Sequence, residues 1–245
     1  MRTSKLGILV ALLLLAACGA PTEPAATDQP AGAEAAATPS VPESELVTSN
    51  IVGTERIGRF ELGAHYARLS PTQPTSSSPD RVEVAEVFWY GCPHCFNFDP
   101  LLERWRAAQP EHVSFVRVPA VWNPLLQLHA RAFYTAETLG KGAEMHSAFF
   151  REIHEQRNML DTEAKLTEFF GRFGVDAAAF KTAFDSFEVH TKLQRADELS
   201  RRYHIESVPT IVVNGKYTTG GSQIASYEEL LELVDALVAE EHSAR

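Results

Sequence analysis

The sequence predicts an α/β domain, a mixed central sheet flanked by helices and interrupted by an all-helical insertion. Three observations carry this. An apolar run, Arg81–Gly91, leads straight into a helical pattern that opens on Cys92-Pro93-His94-Cys95. Strand character is then missing from Asn123 to about Arg202, where amphipathic helical periods follow one another. It returns in Ser207–Gly221, ahead of a final helix. With 245 residues, 44% of them hydrophobic, the chain can bury the core of one domain carrying an insertion.

The elements follow in chain order. Arg2 and Lys5 precede an apolar run, Leu6–Leu15, of signal-peptide length and too short to cross a bilayer comfortably. It ends in Leu15-Ala16-Ala17-Cys18-Gly19, which looks like a bacterial lipobox. Residues 1–17 are therefore expected to be removed and Cys18 lipidated, anchoring the protein to a bacterial membrane on its periplasmic side. Residues 18–55 are rich in Ala, Pro, Thr, Ser and Glu, with no large apolar residue before Val41, and read as a disordered tether. As a flexible coil it reaches roughly 30 Å.

Residues 56–122 hold the first part of the α/β domain, with compact structure expected from near Phe60. His65–Ser70 suits an edge strand and Pro71–Asp80 a polar loop. Arg81–Gly91 alternates and then turns almost wholly apolar, as a buried central strand does. Pro93 suits a first helical turn, and Pro100 is expected to kink the helix that follows. His112–Ala120 alternates again. Residues 123–203 read as consecutive helices, with caps at Asp161 and Asp176 and stops at Gly140 and Gly174. Residues 204–241 complete the domain. Asn214-Gly215 signals a hairpin turn, and Ser226 with Glu229 forms a capping box for the last helix. The order strand, CxxC helix, strand, helical block, hairpin, helix describes a thioredoxin-like domain with a helical insertion.

Charge and cysteine count narrow the chemistry. There are 22 basic and 32 acidic residues, and no basic stripe or cluster, which argues against nucleic acid as the partner. With Cys18 committed to lipid, Cys92 and Cys95 are the remaining thiols of an exported chain in an oxidising compartment. Structural zinc needs four ligands, and neither a second cysteine pair nor a histidine pattern supplies them. A c-type haem anchor needs His after the second Cys, where Phe96 stands. A structural disulfide over so short a loop constrains the unfolded chain little. Redox chemistry remains, without metal or cofactor. Cys92 would sit at a helix start, where unpaired N–H groups and the helix dipole favour a thiolate. His94 would add a donor or positive charge, and Cys95, deeper in the helix, would resolve mixed disulfides.

"EVFWYGCPHCFNFD" together with "VPTIVVNGKY" resembles the DsbA family of periplasmic thiol:disulfide oxidases, over roughly residues 60–241. The resemblance implies a dithiol oxidase that donates the Cys92–Cys95 disulfide to exported, unfolded polypeptides with free thiols. It implies reoxidation by a quinone-linked membrane partner resembling DsbB. It implies that Pro93 and His94 tune Cys92, and that the Val208-Pro209 peptide is cis, packed on the disulfide, with the Val208 backbone open to pair with substrate. It further implies carboxylates at Glu86 and Asp99 that help protons reach the inner cysteine, against surface or strand-end charge as the plainer reading of each. Trp89, Tyr90 and Phe96 read mainly as core and rim packing, and His146, His154 and His190 receive no role. A monomer is expected, since no dimerisation segment is evident. A reductase or isomerase on the same fold, or a tethered peptide-binding chaperone, are the competing functions. Gly19 after the lipidated Cys resembles outer-membrane sorting, which leaves the membrane itself open.

Overall fold

The structure, a computed structural model, describes residues 55–220 and 223–245. The signal segment, Cys18 and the tether as far as residue 54 lie outside these residues. Compact structure starts slightly before the expected Phe60. β1 (Arg56–Ile57) pairs antiparallel with β2 (Phe60–Glu61) because Ile57 and Phe60 both bury into the domain core.

The main sheet has five strands in the order β3 (Tyr66–Arg68), β7 (Tyr217–Thr219), β6 (Thr210–Val213), β4 (Val82–Phe88), β5 (Val113–Pro119). Only β4 and β5 run parallel, as the helix α1 (Pro93–Ala107) between them requires. Every residue of β4 is buried, which accounts for its nearly continuous apolar run. The hairpin between β6 and β7 turns on Asn214 and Gly215 at φ +52 and +61. Both central residues thus have the positive φ of a type I′ turn. A Cβ at Gly215 would fall 2.1 Å from the Gln73 carbonyl oxygen, so both conformation and space demand glycine.

Between β5 and β6 lie α2 (Pro124–Thr138), α3 (Gly142–His154), α4 (Glu163–Gly171), α5 (Ala177–Phe184) and α6 (Phe187–Arg202). After β7 comes α7 (Tyr227–Ser243). One face of the sheet packs Val82, Val84, Ile211 and Val213 against α1 and α7. The other packs Ala85, Val87, Val118 and Val212 against α2 and α6. A third apolar cluster joins the end of β4 and both cysteines to α2–α5. No helix among the described residues is long and apolar enough to cross a membrane.

Two expected caps differ in detail. The cap of α4 is Thr162, whose hydroxyl accepts from Lys165 N–H at 3.3 Å; Asp161, one residue outside, pairs with the Lys165 ammonium instead. In α7 Ser226 caps as expected, but the Glu229 carboxylate accepts from Ala225 N–H, not from the cap residue. Glu229 also faces Arg59 at 3.2 Å, an ion pair that draws the carboxylate past the cap. Gly140 and Gly174, at φ +67 and +78, end their helices as the sequence implied.

Candidate active site

The motif sits where the buried strand β4 becomes α1. Trp89, Tyr90 and Gly91 make the turn, and Cys92 N–H donates to the Trp89 carbonyl at 3.0 Å. A Cβ at Gly91 would fall 2.3 Å from the Trp89 ring, so only glycine lets the turn close on that indole. Cys92 caps α1 in an extended conformation, with Pro93 in the first helical position where its missing N–H costs nothing. The helix continues through Pro100. Cys92 is 7% exposed and Cys95 is fully enclosed, and both are free thiols. Val208-Pro209 is cis, and the Cys92 thiol donates to the Val208 carbonyl at 3.4 Å. Two segments 116 residues apart in sequence therefore meet at one sulfur.

Electrostatics separate the two thiols. Cys92 is pulled from 9.0 down to about 6. The leading cause is the hydrogen bond from the Cys95 thiol to the Cys92 sulfur, which outweighs burial; the backbone N–H groups of Cys95 and His94 add to it. The charge of His94 is the smallest of the named contributions. Its exposed imidazole places Nδ1 3.3 Å from the Tyr227 hydroxyl. Burial drives Cys95 in the opposite direction, far above the ordinary thiol range, and bonding to Cys92 adds to it. The pair thus favours a thiolate at Cys92, at the helix start, and a thiol at the fully enclosed Cys95.

Beneath the cysteines lies a buried ionic cluster. Glu86 and Arg117 stand opposite one another in the parallel β4–β5 register, and Arg117 Nε donates to Glu86 Oε2 at 3.0 Å. Burial nevertheless raises Glu86 to about 7, because it outweighs Arg117 and is reinforced by Asp99 and Glu103. Arg117 also pairs with Glu103 and approaches Asp99 at 3.7 Å. Asp99 is 4% exposed, so the surface-charge reading fails for it. Burial pushes its carboxyl up, but His146, Ser147 and Arg117 together hold it below the usual range.

Three histidines of the helical block also meet the motif. His146, on α3, has Nδ1 3.0 Å from the Tyr90 hydroxyl and Nε2 3.1 Å from Asp99 Oδ1. His154, further along α3, donates from Nε2 to the Tyr90 carbonyl at 2.8 Å and stacks on Phe96 at 4.7 Å. His129, on α2, accepts from the Trp89 indole N–H at 3.1 Å and donates to the Met159 carbonyl at 2.9 Å. The sequence reading assigned His146 and His154 no role, and the structure brings both to the motif. Tyr90 proves fully enclosed among Phe88, Phe149 and Phe150. Arg117 was missed as well, although a lone cation in an alternating strand directly after the CxxC helix could have pointed to it. The histidines carried no such signal, since only packing sets which way their helices face.

A low-pKa thiol at a helix start, a buried partner one turn on, and a cis-proline loop against the sulfur define a thioredoxin-fold protein thiol:disulfide oxidoreductase. Residues 108–232 match the family model described as a DSBA-like thioredoxin domain. A relative from Azotobacter vinelandii named "Thiol:disulfide interchange protein DsbA" is 38% identical over 186 residues, covering 76% of this chain and 86% of that one. The crystal structure of Pseudomonas aeruginosa DsbA superposes with a TM-score of 0.72 at 36% identity, covering 76% of this chain and 96% of that one. DsbA from Xylella fastidiosa gives a TM-score of 0.70 at 33% identity, covering 74% and 97%. The chain belongs to the DsbA family.

Proposed function

We propose that the protein donates its Cys92–Cys95 disulfide to exported, unfolded polypeptides. A substrate thiolate attacks the Cys92 sulfur, the Cys92–Cys95 bond breaks, and the electron pair leaves on Cys95. Cys95 then takes a proton, since burial disfavours its thiolate. A second substrate thiolate attacks the substrate sulfur of the mixed disulfide and releases Cys92 as a thiolate. The substrate loses two electrons and gains a disulfide; the protein is left as the dithiol. The observation that carries this reading is the opposed displacement of the two thiols, with Cys92 at about 6. A stabilised thiolate is a good leaving group and favours the reduced protein, so the disulfide form is the oxidant.

Glu86, at about 7, is in the range to supply and recover the Cys95 proton near neutral pH. The Val208 carbonyl, beside Cys92, offers an extended substrate an acceptor once a mixed disulfide replaces the thiol. Lipidation at Cys18 would tether the domain to a membrane in the periplasm, where a DsbB-like quinone-linked partner would reoxidise it as a monomer. The lipobox-like Leu15–Gly19 and the Ala/Pro-rich segment after it support the tether.

The test is equilibration with glutathione, followed by trapping. The oxidised protein should be reduced far more readily than thioredoxin, and Cys95→Ser should accumulate a mixed disulfide through Cys92. A potential near that of thioredoxin, ~−270 mV, overturns the donor reading in favour of a reductase. Full activity of Cys92→Ser in a host lacking its own oxidase would instead favour a chaperone.

A further inference from the structure

The three histidines all reach the same short stretch. His129 holds the Trp89 side chain, His146 the Tyr90 hydroxyl, and His154 the Tyr90 carbonyl together with the Phe96 ring. Trp89 and Tyr90 make the turn into Cys92, and Phe96 directly follows Cys95. Every other residue of this turn belongs to the β4–α1 unit, whereas the histidines come from α2 and α3 of the helical block.

Chemistry fixes their proton positions. An indole N–H only donates, so His129 Nδ1 is the acceptor and Nε2 carries the hydrogen given to Met159. A carbonyl only accepts, so His154 Nε2 donates. Asp99 is ionised and faces His146 Nε2, which leaves Nδ1 to accept from the Tyr90 hydroxyl. The His146 Nε2–Asp99 Oδ1 approach lies outside hydrogen-bond alignment, and neither atom has another hydrogen-bond partner. His146 is thus held by Tyr90 on one side and only faces a charge on the other.

We propose that His129, His146 and His154 are positioning residues for thiol–disulfide exchange: they register the helical block on the Trp89–Tyr90 turn and thereby hold the N–H donors that surround the Cys92 sulfur. Those donors belong to His94 and Cys95, the first residues after the turn. If the turn loosens, both N–H groups lose their aim while the sulfur keeps its burial. The consequence is a less stabilised thiolate and a weaker oxidant. This goes beyond the disulfide-donor reading and rests on it.

The experiment uses the mature chain and three substitutions. His154→Phe keeps the ring stack on Phe96 and removes the bond to the Tyr90 carbonyl. Tyr90→Phe keeps the stack on Phe149, 4.2 Å away, and removes the hydroxyl that His146 holds. His154→Gln restores an N–H donor. Cys92 is titrated by thiolate absorbance, and the protein is equilibrated with glutathione. The double variant, His154→Phe with Tyr90→Phe, is expected to raise the Cys92 pKa by roughly half a unit to one unit and to shift the equilibrium at pH 7 about three- to fivefold toward the disulfide. His154→Gln should stay near wild type. If the double variant does not fold, Tyr90→Phe alone gives the same reading with a smaller shift. Variants that lose stability yet keep the wild-type Cys92 pKa and equilibrium overturn the inference, leaving the histidines as packing. A wild-type Cys92 titrating near 9 overturns the disulfide-donor reading, and this inference with it.

Discussion

Replacing Cys95 by alanine removes the largest influence that lowers Cys92, the hydrogen bond from the neighbouring thiol. In the wild type Cys92 lies near 6, so about nine-tenths of it is thiolate at pH 7; a thiol left at 9.0 would be ionised to about 1%. The displacement of some three units is worth ~4 kcal/mol between thiol and thiolate, but little of that is felt at pH 7. There the reduced form gains only ~1.4 kcal/mol over an ordinary thiol, equivalent to ~30 mV in a two-electron couple. A charge-assisted hydrogen bond is worth ~1.5–3 kcal/mol, so Cys95→Ala should raise Cys92 by about one to two units. The thiolate fraction at pH 7 would fall to about half or less. Cys95→Ser, which keeps a donor hydroxyl, should lie between the two. Titration by thiolate absorbance reads all three proteins directly. If Cys95→Ala titrates where the wild type does, the bond from Cys95 is not what lowers Cys92, and backbone donors alone account for it.

Three further outcomes follow from the buried groups. The folded-state pKa of Glu86 is raised to about 7, so its cost is absent below about 4.5 and grows as pH rises through 7. Because Arg117 keeps Glu103 and Asp99, Glu86→Gln should stabilise the protein by up to ~3 kcal/mol at pH 8, and not at pH 4, by urea midpoint. His129 and His146 are both lowered by burial, so they favour folding above the unfolded value of about 6.5 and lose that contribution as pH falls. Around His146 stand Tyr90, Asp99, Arg117 and Glu103; around His129, Trp89, Met159 and Asp161. Glu86 runs the other way over this window, so the test is a difference: His129→Gln should gain stability at pH 5 relative to pH 7.5 when its urea midpoints are compared with those of the wild type. Gly215→Ala, forced into positive φ against Gln73, should cost ~2 kcal/mol or more while leaving the Cys92 titration unmoved.

Much of the scaffold was legible because short-range pattern and long-range packing agree. Arg81–Gly91 reads as buried because β4 has neighbours on both edges and helices on both faces. Asn214-Gly215 reads as a turn because two adjacent positive φ values admit few other residues. Where two local solutions are nearly equal, the reading slipped. Asp161 and Thr162 are both good caps one residue apart, and Glu229 has an Arg59 that sequence does not place beside it.

For the site, the chain itself determined the cysteine pair and its place at a helix start, while Val208-Pro209 was expected beside it only through the resemblance to the DsbA family. Composition and spacing suffice for the pair, because its properties are set within a few residues. Only the tertiary structure decided what surrounds the pair. Asp99 is buried because α3 covers it, Glu86 is raised because Arg117 offsets too little of its burial, and three histidines meet at Trp89 and Tyr90 because α2 and α3 pack on that turn. Burial and charge contacts belong to the assembled chain: a carboxylate or imidazole has no environment until distant helices supply one.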